Sequence, residues 1–363
     1  MHPIGLYIHV PFCRSKCGYC DFYSLTREDL RESYIKRVVE EIHSYQGKGI
    51  QADTLFIGGG TPSLLETSEV GNLLSACREV FDLKGEITIE ANPDSVSLNY
   101  LKTIRQAGVN RISFGAQSGI DRELQALGRR HNSKQIAEAV QWAREAGFDN
   151  LSLDVMLGIP HQTSDTLRKT LQFMTALQPE HLSCYLLKIE EETPFYRQHA
   201  ENLCADEDRT ADFYLQMVET LQKNGYLQYE ISNFSQKGYK SQHNLKYWHC
   251  EEYLGFGPAS HSFYNGKRFY HSASLENYLT SPTFAICPDG EGGNMEEQIL
   301  LRLRLTEGID LSSLPDKNQA NTLLKRSLSY QKDGLMTFNG SHLSFTPKGF
   351  LVSNAILAKL LSE

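Results

Sequence analysis

Three cysteines near the start of the chain, Cys13, Cys17 and Cys20, lie close enough in sequence to act together as metal ligands. Their loop directly follows the apolar run Gly5–Val10, which predicts a buried strand. Thiolates at a strand end can share one iron–sulfur cluster, and three of them leave one iron of a four-iron cluster open to a small chelating molecule. Zinc is the alternative metal for cysteines at such spacings, although no fourth side chain is an obvious ligand for it.

Glycines and polar residues end the apolar runs that follow. Gly58-Gly59-Gly60-Thr61 ends the second run, and Glu90, Gln117 and Asp154 lie in the third, fourth and fifth. Because the carboxyl ends of parallel strands meet at one edge of a sheet, we expect these residues to surround a common ligand site. A polar cap on the sheet would explain any one of them, but not four in register.

Six short apolar runs alternate with segments of helical period, which predicts an α/β fold with a parallel sheet and right-handed crossovers. Six units are fewer than a full barrel needs, so we expect a partial (β/α)6 barrel that is open on one side. The predicted strands are Gly5–Val10, Thr54–Gly58, Glu86–Asn92, Arg111–Gln117, Leu151–Gly158 and His181–Ile189, and the predicted helices are Arg27–Tyr45, Ser63–Phe81, Ser97–Ala107, Ser133–Ala146 and Ser164–Leu177.

The pattern changes after the sixth run. Asp206–Asn224 predicts one helix, Tyr226–Tyr270 is aromatic and irregular, and Tyr278–Glu291 is typical of a linker. Met295–Glu363 predicts helices and one hairpin, Leu335–Phe338 with Leu343–Phe345, in a winged-helix-like arrangement without a basic stripe. These features predict a barrel over 1–225, an aromatic segment and linker over 226–290, and a small C-terminal domain over 291–363.

Composition narrows the classes of function. The 363 residues carry a formal net charge of −8, which argues against nucleic acid as a partner. Mean hydropathy is −0.40, and the start of the chain has no basic region followed by an apolar stretch, so we expect no signal peptide and a cytoplasmic location. Cys77 and Cys184 lie in apolar patterns, which favours a structural role for both.

The cysteine triad, followed one β-α unit later by Gly58-Gly59-Gly60-Thr61-Pro62, resembles the signature of the radical S-adenosylmethionine (SAM) superfamily. The resemblance implies a [4Fe-4S] cluster on the triad and a glycine loop that holds the SAM amino group. It also implies that Arg129 or the adjacent Arg130 pairs with the SAM carboxylate. The implied SAM-site residues are Tyr7, Gly59, Gly60, Thr61, Glu90, Gln117, Arg129 and Asp154.

Nearly the whole chain resembles the oxygen-independent coproporphyrinogen III oxidase-like group. Two departures separate it from the true oxidases. Those enzymes have a further cysteine two residues after the triad, where this chain has Phe22, and they have a long N-terminal extension, whereas only 12 residues precede Cys13 here. The segment His243-Asn244-Leu245-Lys246-Tyr247-Trp248 instead matches a motif of the haem chaperones of this group. A porphyrinogen-decarboxylating enzyme of this group is the alternative, and enzymatic activity itself stays open.

The chaperone resemblance implies haem as cargo, delivery to membrane-bound haem-accepting respiratory proteins, a position peripheral to the inner membrane through those partners, and a possible dimer. His243 is the implied haem ligand, because imidazole is a good axial ligand and the motif's aromatic residues can stack on the macrocycle. His249, Cys250 and Cys287 are the competing candidates for this ligand.

Overall fold

The computed structural model describes residues 2–362, and within them the main sheet has twelve strands. Its central six strands are mutually parallel, which confirms the predicted (β/α)6 arrangement. They are β1 (Ile4–Val10), β2 (Ala52–Gly59), β3 (Glu86–Ala91), β4 (Arg111–Gln117), β5 (Leu151–Leu157) and β6 (His181–Leu186).

Helices connect these strands at the positions that the apolar periodicity predicts, and each buries its apolar face against the sheet. Ser97 and Asn132 cap the helices that follow them, since the Ser97 side chain accepts a hydrogen bond from the Tyr100 amide and the Asn132 side chain accepts one from the Gln135 amide. The helices of this half are α1 (Arg31–His43), α2 (Thr67–Phe81), α3 (Leu98–Ala107), α4 (Asp121–Ala126), α5 (Ser133–Glu145), α6 (Ser164–Ala176), α7 (Pro194–Arg197) and α8 (Glu207–Lys223).

The segment expected to be irregular, Tyr226–Tyr270, extends the sheet at both edges instead. Two short strands follow β6, and β9 pairs in parallel with β1 and carries an antiparallel ribbon outward. The expected linker Tyr278–Glu291 likewise contains a strand, an edge position that tolerates Pro288. These strands have two to five residues, too few for alternation to reveal them. They are β7 (Leu227–Gln228), β8 (Asn233–Ser235), β9 (Tyr253–Phe256), β10 (His261–Tyr264), β11 (Lys267–Tyr270) and β12 (Cys287–Glu291). The complete order of the sheet is β12-β11-β10-β9-β1-β2-β3-β4-β5-β6-β8-β7.

The C-terminal part combines helices with a small antiparallel sheet of order β13-β15-β14. The predicted hairpin is present, and β13 adds a third strand to it. An isolated bridge from Glu230 to Leu305 ties this part to the main sheet. The remaining elements are α9 (Gln242–Trp248), α10 (Leu275–Thr280), α11 (Met295–Arg302), β13 (Ile309–Asp310), α12 (Lys317–Lys332), β14 (Met336–Phe338), β15 (His342–Phe345), α13 (Pro347–Leu351) and α14 (Ser353–Leu361).

One face of β1 is entirely apolar: Leu6, Ile8 and Val10, which alternate along the strand and therefore point the same way, are fully buried in the core. Cys77 and Cys184 are buried in the same core. Across residues 2–362, no helix has the length and apolar character that a membrane crossing requires.

Candidate functional site

A cavity of about 530 Å³ opens at the carboxyl ends of the parallel strands. This volume lies within the range of small-molecule sites, and the position is the one expected for a ligand of a parallel α/β sheet. Seven of the predicted site residues line it together with Cys20: Gly59, Gly60, Thr61, Glu90, Gln117, Arg129 and Asp154.

The cysteine loop follows β1 and covers one side of this cavity. All three thiols are free and half-buried. The Thr61 hydroxyl lies 3.5 Å from Cys13 Sγ, and Arg129 Nη1 lies 3.7 Å from Cys17 Sγ, so these two of the three thiols face hydrogen-bond donors. Burial, followed by the nearby thiols of Cys17 and Cys13, raises the pKa of Cys20, which shows that the three sulfurs are electrostatic neighbours.

No three His, Cys, Asp or Glu side chains within residues 2–362 are arranged to hold a single metal ion. A zinc site requires all four of its ligands around one point at roughly 2.0–2.3 Å. In an iron–sulfur cluster, by contrast, each cysteine binds a different iron.

Two glycines of the loop after β2 are required by close packing. A Cβ on Gly60 would lie 2.6 Å from the Phe12 carbonyl oxygen and 3.1 Å from Cys13 Sγ. Gly59 has φ +110°, and its Cβ would lie 2.7 Å from the ring of His9. The glycines therefore let the loop lie directly against the cysteine loop.

Two carboxylates face each other across the cavity. Glu90 accepts a hydrogen bond from the Gly59 amide at 3.0 Å, and Asp154 accepts one from the Ser113 hydroxyl at 3.1 Å. Burial, followed by repulsion from Asp154, raises the pKa of Glu90 to about 8, while burial raises that of Asp154 to about 6. The pair would be stabilised by a positively charged group between the strands.

Of the two adjacent arginines, only Arg129 lines this cavity. Its Nη2 donates to Asn92 Oδ1 and to the Gly115 carbonyl, each at 2.6 Å, which fixes the guanidinium at the cavity wall. Arg130 lies outside, where its Nε is 3.5 Å from Asp94 and its side chain is largely exposed. Arg129 is therefore the better placed partner for a ligand carboxylate.

Tyr7 lies behind the cavity rather than in its wall. Its hydroxyl shares a 3.0 Å hydrogen bond with His9 Nδ1, and its ring lies 6.3 Å from that of Phe56, which lines the cavity. Gln117 reaches the cavity because β4 bulges at its end, where Gln117 adopts φ +67°. A left-handed glutamine is uncommon and costs of order 1 kcal/mol, which is typical of a functional position.

His243 is enclosed in the protein. Its ring is 1 % exposed, stacks on Phe56 at 5.4 Å, and has both nitrogens occupied, by Thr54 Oγ1 at 2.9 Å and Tyr247 OH at 2.7 Å. Burial lowers its pKa to about 3, so the imidazole is neutral. The adjacent Asn244 of the same motif lines the cavity, so α9 forms part of its wall.

The competing haem-ligand candidates lie nearer the surface. His249 is about one-third exposed, with its ring nitrogens 3.7 Å and 3.4 Å from carboxylate oxygens of Glu251 and Glu307. Cys250 Sγ lies 3.9 Å from Glu297 Oε2, and Cys287 is half-buried on the edge strand β12. None of these three residues lines the cavity.

Sequence reasoning missed several cavity residues, above all Arg111. This side chain is 2 % exposed and lines the cavity, and its Nε has no hydrogen-bond partner among the described residues. Its charge lowers the pKa values of both Glu90 and Asp154, so it lies near both carboxylates. The available signal was a charged residue at the head of an otherwise apolar strand.

Family models match two parts of the chain: the radical SAM superfamily over residues 7–174 and the HemN C-terminal domain over residues 294–352. Among curated relatives, the chain is 31 % identical to the haem chaperone HemW of Lactococcus lactis, over 99 % of this chain and 98 % of that protein. It is 34 % identical to HemW of Bacillus subtilis, over 98 % and 99 % of the two chains, and 37 % identical to HemW of Escherichia coli, over 71 % and 70 %.

A solved structure supports the fold. Coproporphyrinogen III oxidase (HemN) from Escherichia coli, a radical SAM enzyme, matches 99 % of this chain and 90 % of that chain with a TM-score of 0.84 at 23 % sequence identity. The likeness confirms the predicted fold class, a radical SAM partial barrel followed by a smaller C-terminal domain.

Proposed function

The chain belongs to the HemW family of radical SAM proteins, and on that premise we propose that it is a haem chaperone that binds a [4Fe-4S] cluster, SAM and haem. The observation that supports this most directly is the cavity at the strand ends, which combines two carboxylates and two guanidinium groups with the thiol of Cys20, the last cysteine of the triad. We further propose that the protein acts in the cytoplasm and passes haem to membrane-bound respiratory proteins, as a monomer or a dimer.

The donor set fits the implied cluster. Cys13, Cys17 and Cys20 would hold three irons, and the hydrogen bonds from Thr61 and Arg129 would stabilise the first two sulfurs as thiolates. One iron would remain open toward the cavity. When bound, the cluster and SAM together supply one-electron reductive chemistry.

The cavity also fits a zwitterionic ligand with a positive sulfur. Arg129 would pair with the ligand carboxylate, since its guanidinium is held at the wall by Asn92 and Gly115. Glu90 and Asp154 would face the positive groups, which removes the repulsion between the two carboxylates. The Gly59–Thr61 loop brings the backbone close to the ligand, and Gln117 supplies a neutral amide.

For haem, the motif that begins at His243 indicates this residue as the axial ligand. Coordination requires a free ring nitrogen, and both nitrogens of His243 are engaged by Thr54 and Tyr247. Haem binding through this residue would therefore include the release of at least one of these hydrogen bonds. His249 provides the exposed alternative.

The test is anaerobic reconstitution with iron and sulfide, followed by haem titration at the Soret band. Cys17→Ser is expected to lose the cluster absorbance and most of its iron, while Cys204→Ser, a change of the same type outside the triad, retains both. Full iron content in Cys17→Ser would refute the cluster assignment.

Saturable haem binding near one equivalent would support the chaperone function. Its absence, combined with decarboxylation of coproporphyrinogen III by the reconstituted protein, would refute the chaperone proposal in favour of the oxidase alternative.

A further inference from the structure

Arg111 is a buried cation that the protein itself leaves unpaired. It begins β4, its side chain is 2 % exposed, and it lines the cavity at the strand ends. Within residues 2–362 the arginine salt bridges are made by other arginines, and Arg111 Nε has no hydrogen-bond partner. A guanidinium carries five N–H donors, and burying it without acceptors costs free energy. The position therefore suits an acceptor that a ligand brings.

Thr88 of β3 lies beside Arg111 in the sheet. The two residues are paired in the register of β3 and β4, and Thr88 precedes the cavity residue Glu90 by two positions, so its side chain points to the same side of the sheet. The Thr88 hydroxyl is fully buried and likewise has no hydrogen-bond partner in the described part of the chain. A guanidinium and a hydroxyl placed side by side can both donate to one carboxylate.

The two arginines of the cavity differ in what surrounds them. Arg129 is fixed at the wall by hydrogen bonds and is the proposed partner of the SAM carboxylate. SAM has one carboxylate, so Arg111 would remain unpaired with SAM bound. Glu90 and Asp154 do not supply the partner, because their hydrogen bonds come from Gly59 and Ser113 and they would face the positive groups of SAM. Arg111 is therefore available to a second carboxylate.

We propose that Arg111 and Thr88 form a carboxylate subsite at the floor of the cavity, and that this subsite takes a propionate side chain of the haem cargo. The inference rests on the proposed function, since haem supplies the propionate. Arg111 lies at the floor because it begins β4, whereas the cavity opens at the carboxyl ends of the strands. Binding consists of an ion pair with hydrogen bonds, and no covalent bond changes.

Two features of the cavity favour haem over a free small carboxylate. Its wall includes the apolar ring of Phe22, which is 67 % exposed and suits a macrocycle at the opening. Burial, followed by the charges of Lys246 and Arg111, lowers the pKa of His243, so the guanidinium is an electrostatic neighbour of the proposed axial ligand. Phe56 of the cavity wall stacks on the same imidazole. A haem that reached His243 would bring a propionate toward Arg111.

The experiment compares haem with haem dimethyl ester, which has the same iron and macrocycle but no ionised propionates. Both are titrated at the Soret band into cluster-loaded protein saturated with SAM. Arg111→Met is compared with Arg37→Met, which removes the same charge from a side chain that is 15 % exposed, lies outside the cavity and donates to the Tyr278 and Ser281 carbonyls. Iron content, SAM affinity and thermal unfolding are measured first in each variant.

We expect the wild type to bind haem at least about tenfold more tightly than the ester, because hydrogen bonds between charged groups are strong. In Arg111→Met this preference should fall to within about threefold, while Arg37→Met retains it. Arg111→Lys should recover part of the preference, since an ammonium keeps the charge without the planar fork. Without haem, Arg111→Met should unfold within about 2 °C of the wild type, because the lost side chain has no protein partner, whereas Arg37→Met should unfold earlier.

The proposal is wrong if Arg111→Met keeps the preference of the wild type for haem. It is also wrong if Arg111→Met loses SAM affinity by about tenfold or more, which would assign the guanidinium to SAM. No saturable haem binding in the wild type would overturn the proposed function as well, so the two failures are distinct. If haem and ester bind the wild type alike, and sodium propionate raises the unfolding temperature of the wild type but not of Arg111→Met, the subsite takes a free carboxylate and the assignment to haem is overturned.

Discussion

The enclosure of His243 leads to a specific expectation for Tyr247→Phe. The Tyr247 hydroxyl lies 2.7 Å from His243 Nε2, and the neutral imidazole has one lone pair and one N–H to distribute between this hydroxyl and Thr54 Oγ1. Removing the hydroxyl leaves a buried ring nitrogen without a partner. That loss destabilises the haem-free protein by about 1–3 kcal/mol.

If His243 coordinates the haem iron through this nitrogen, the variant regains on binding part of the free energy that it lost with the hydrogen bond. A difference of about 1 kcal/mol corresponds to roughly fivefold tighter binding, so the haem Kd of Tyr247→Phe should be at least about fivefold lower than that of the wild type. Any cost of exposing the buried ring is common to both proteins and largely cancels in the ratio. The assay is a Soret titration of cluster-loaded protein, together with thermal unfolding of the haem-free form.

Tyr253→Phe is the matched control, because its hydroxyl accepts from Arg268 at 3.4 Å rather than from His243. It should leave the haem Kd within about twofold of wild type, since the lost bond is long and half-exposed. An unchanged Kd in Tyr247→Phe, with weakened binding in His249→Ala, would refute the assignment of His243 and identify His249 as the ligand.

Two further predictions concern the cavity. The SAM affinity of the wild type should rise by up to about tenfold between about pH 6.5 and pH 7.5. A cationic ligand binds the ionised form of Glu90, and burial raises the pKa of this carboxyl to about 8, so below that pH Glu90 must lose its proton when the ligand binds. In Glu90→Gln, the SAM affinity measured by calorimetry should no longer rise with pH. An identical pH profile of the affinity in both proteins would contradict this role of Glu90. Gly60→Ala should reduce iron loading several-fold and destabilise the fold by about 1–3 kcal/mol, since its Cβ meets the Phe12 carbonyl oxygen at 2.6 Å. Gly71→Ala, which meets no atom within 4 Å, should load iron normally and serves as the control.

The barrel and the edge that carries the site could be predicted because both depend on local patterns. Short apolar runs reveal the parallel strands, and the ends of these strands meet in space by topology alone. Glu90, Gln117 and Asp154 consequently line one cavity, as expected. The sequence could not decide whether Arg129 or Arg130 faces the cavity, because the two residues are adjacent in one loop and the loop conformation determines which guanidinium points inward.

The environment of His243 was beyond sequence reasoning for a different reason. Its partner Thr54 lies 189 residues earlier in the chain, on β2, and the stacking residue Phe56 lies two positions further on the same strand. Only the folded sheet brings α9 against β2. The short strands that join Tyr226–Tyr270 to the sheet were missed likewise, because long-range pairing rather than local alternation stabilises them.

The buried charges at the strand ends cost the ligand-free sheet free energy that a bound ligand can return. Arg111 lies close to both Glu90 and Asp154, yet its Nε makes no hydrogen bond among the described residues, and repulsion between the carboxylates contributes to the raised pKa of Glu90. Buried polar groups in this state cost free energy that apolar residues would not. A ligand with a positive centre would relieve the repulsion between the carboxylates, and its carboxylate would pair with Arg129. The proposed SAM site therefore lies where buried charges repel each other or lack a hydrogen-bond partner, and completing this network would contribute part of the free energy of binding.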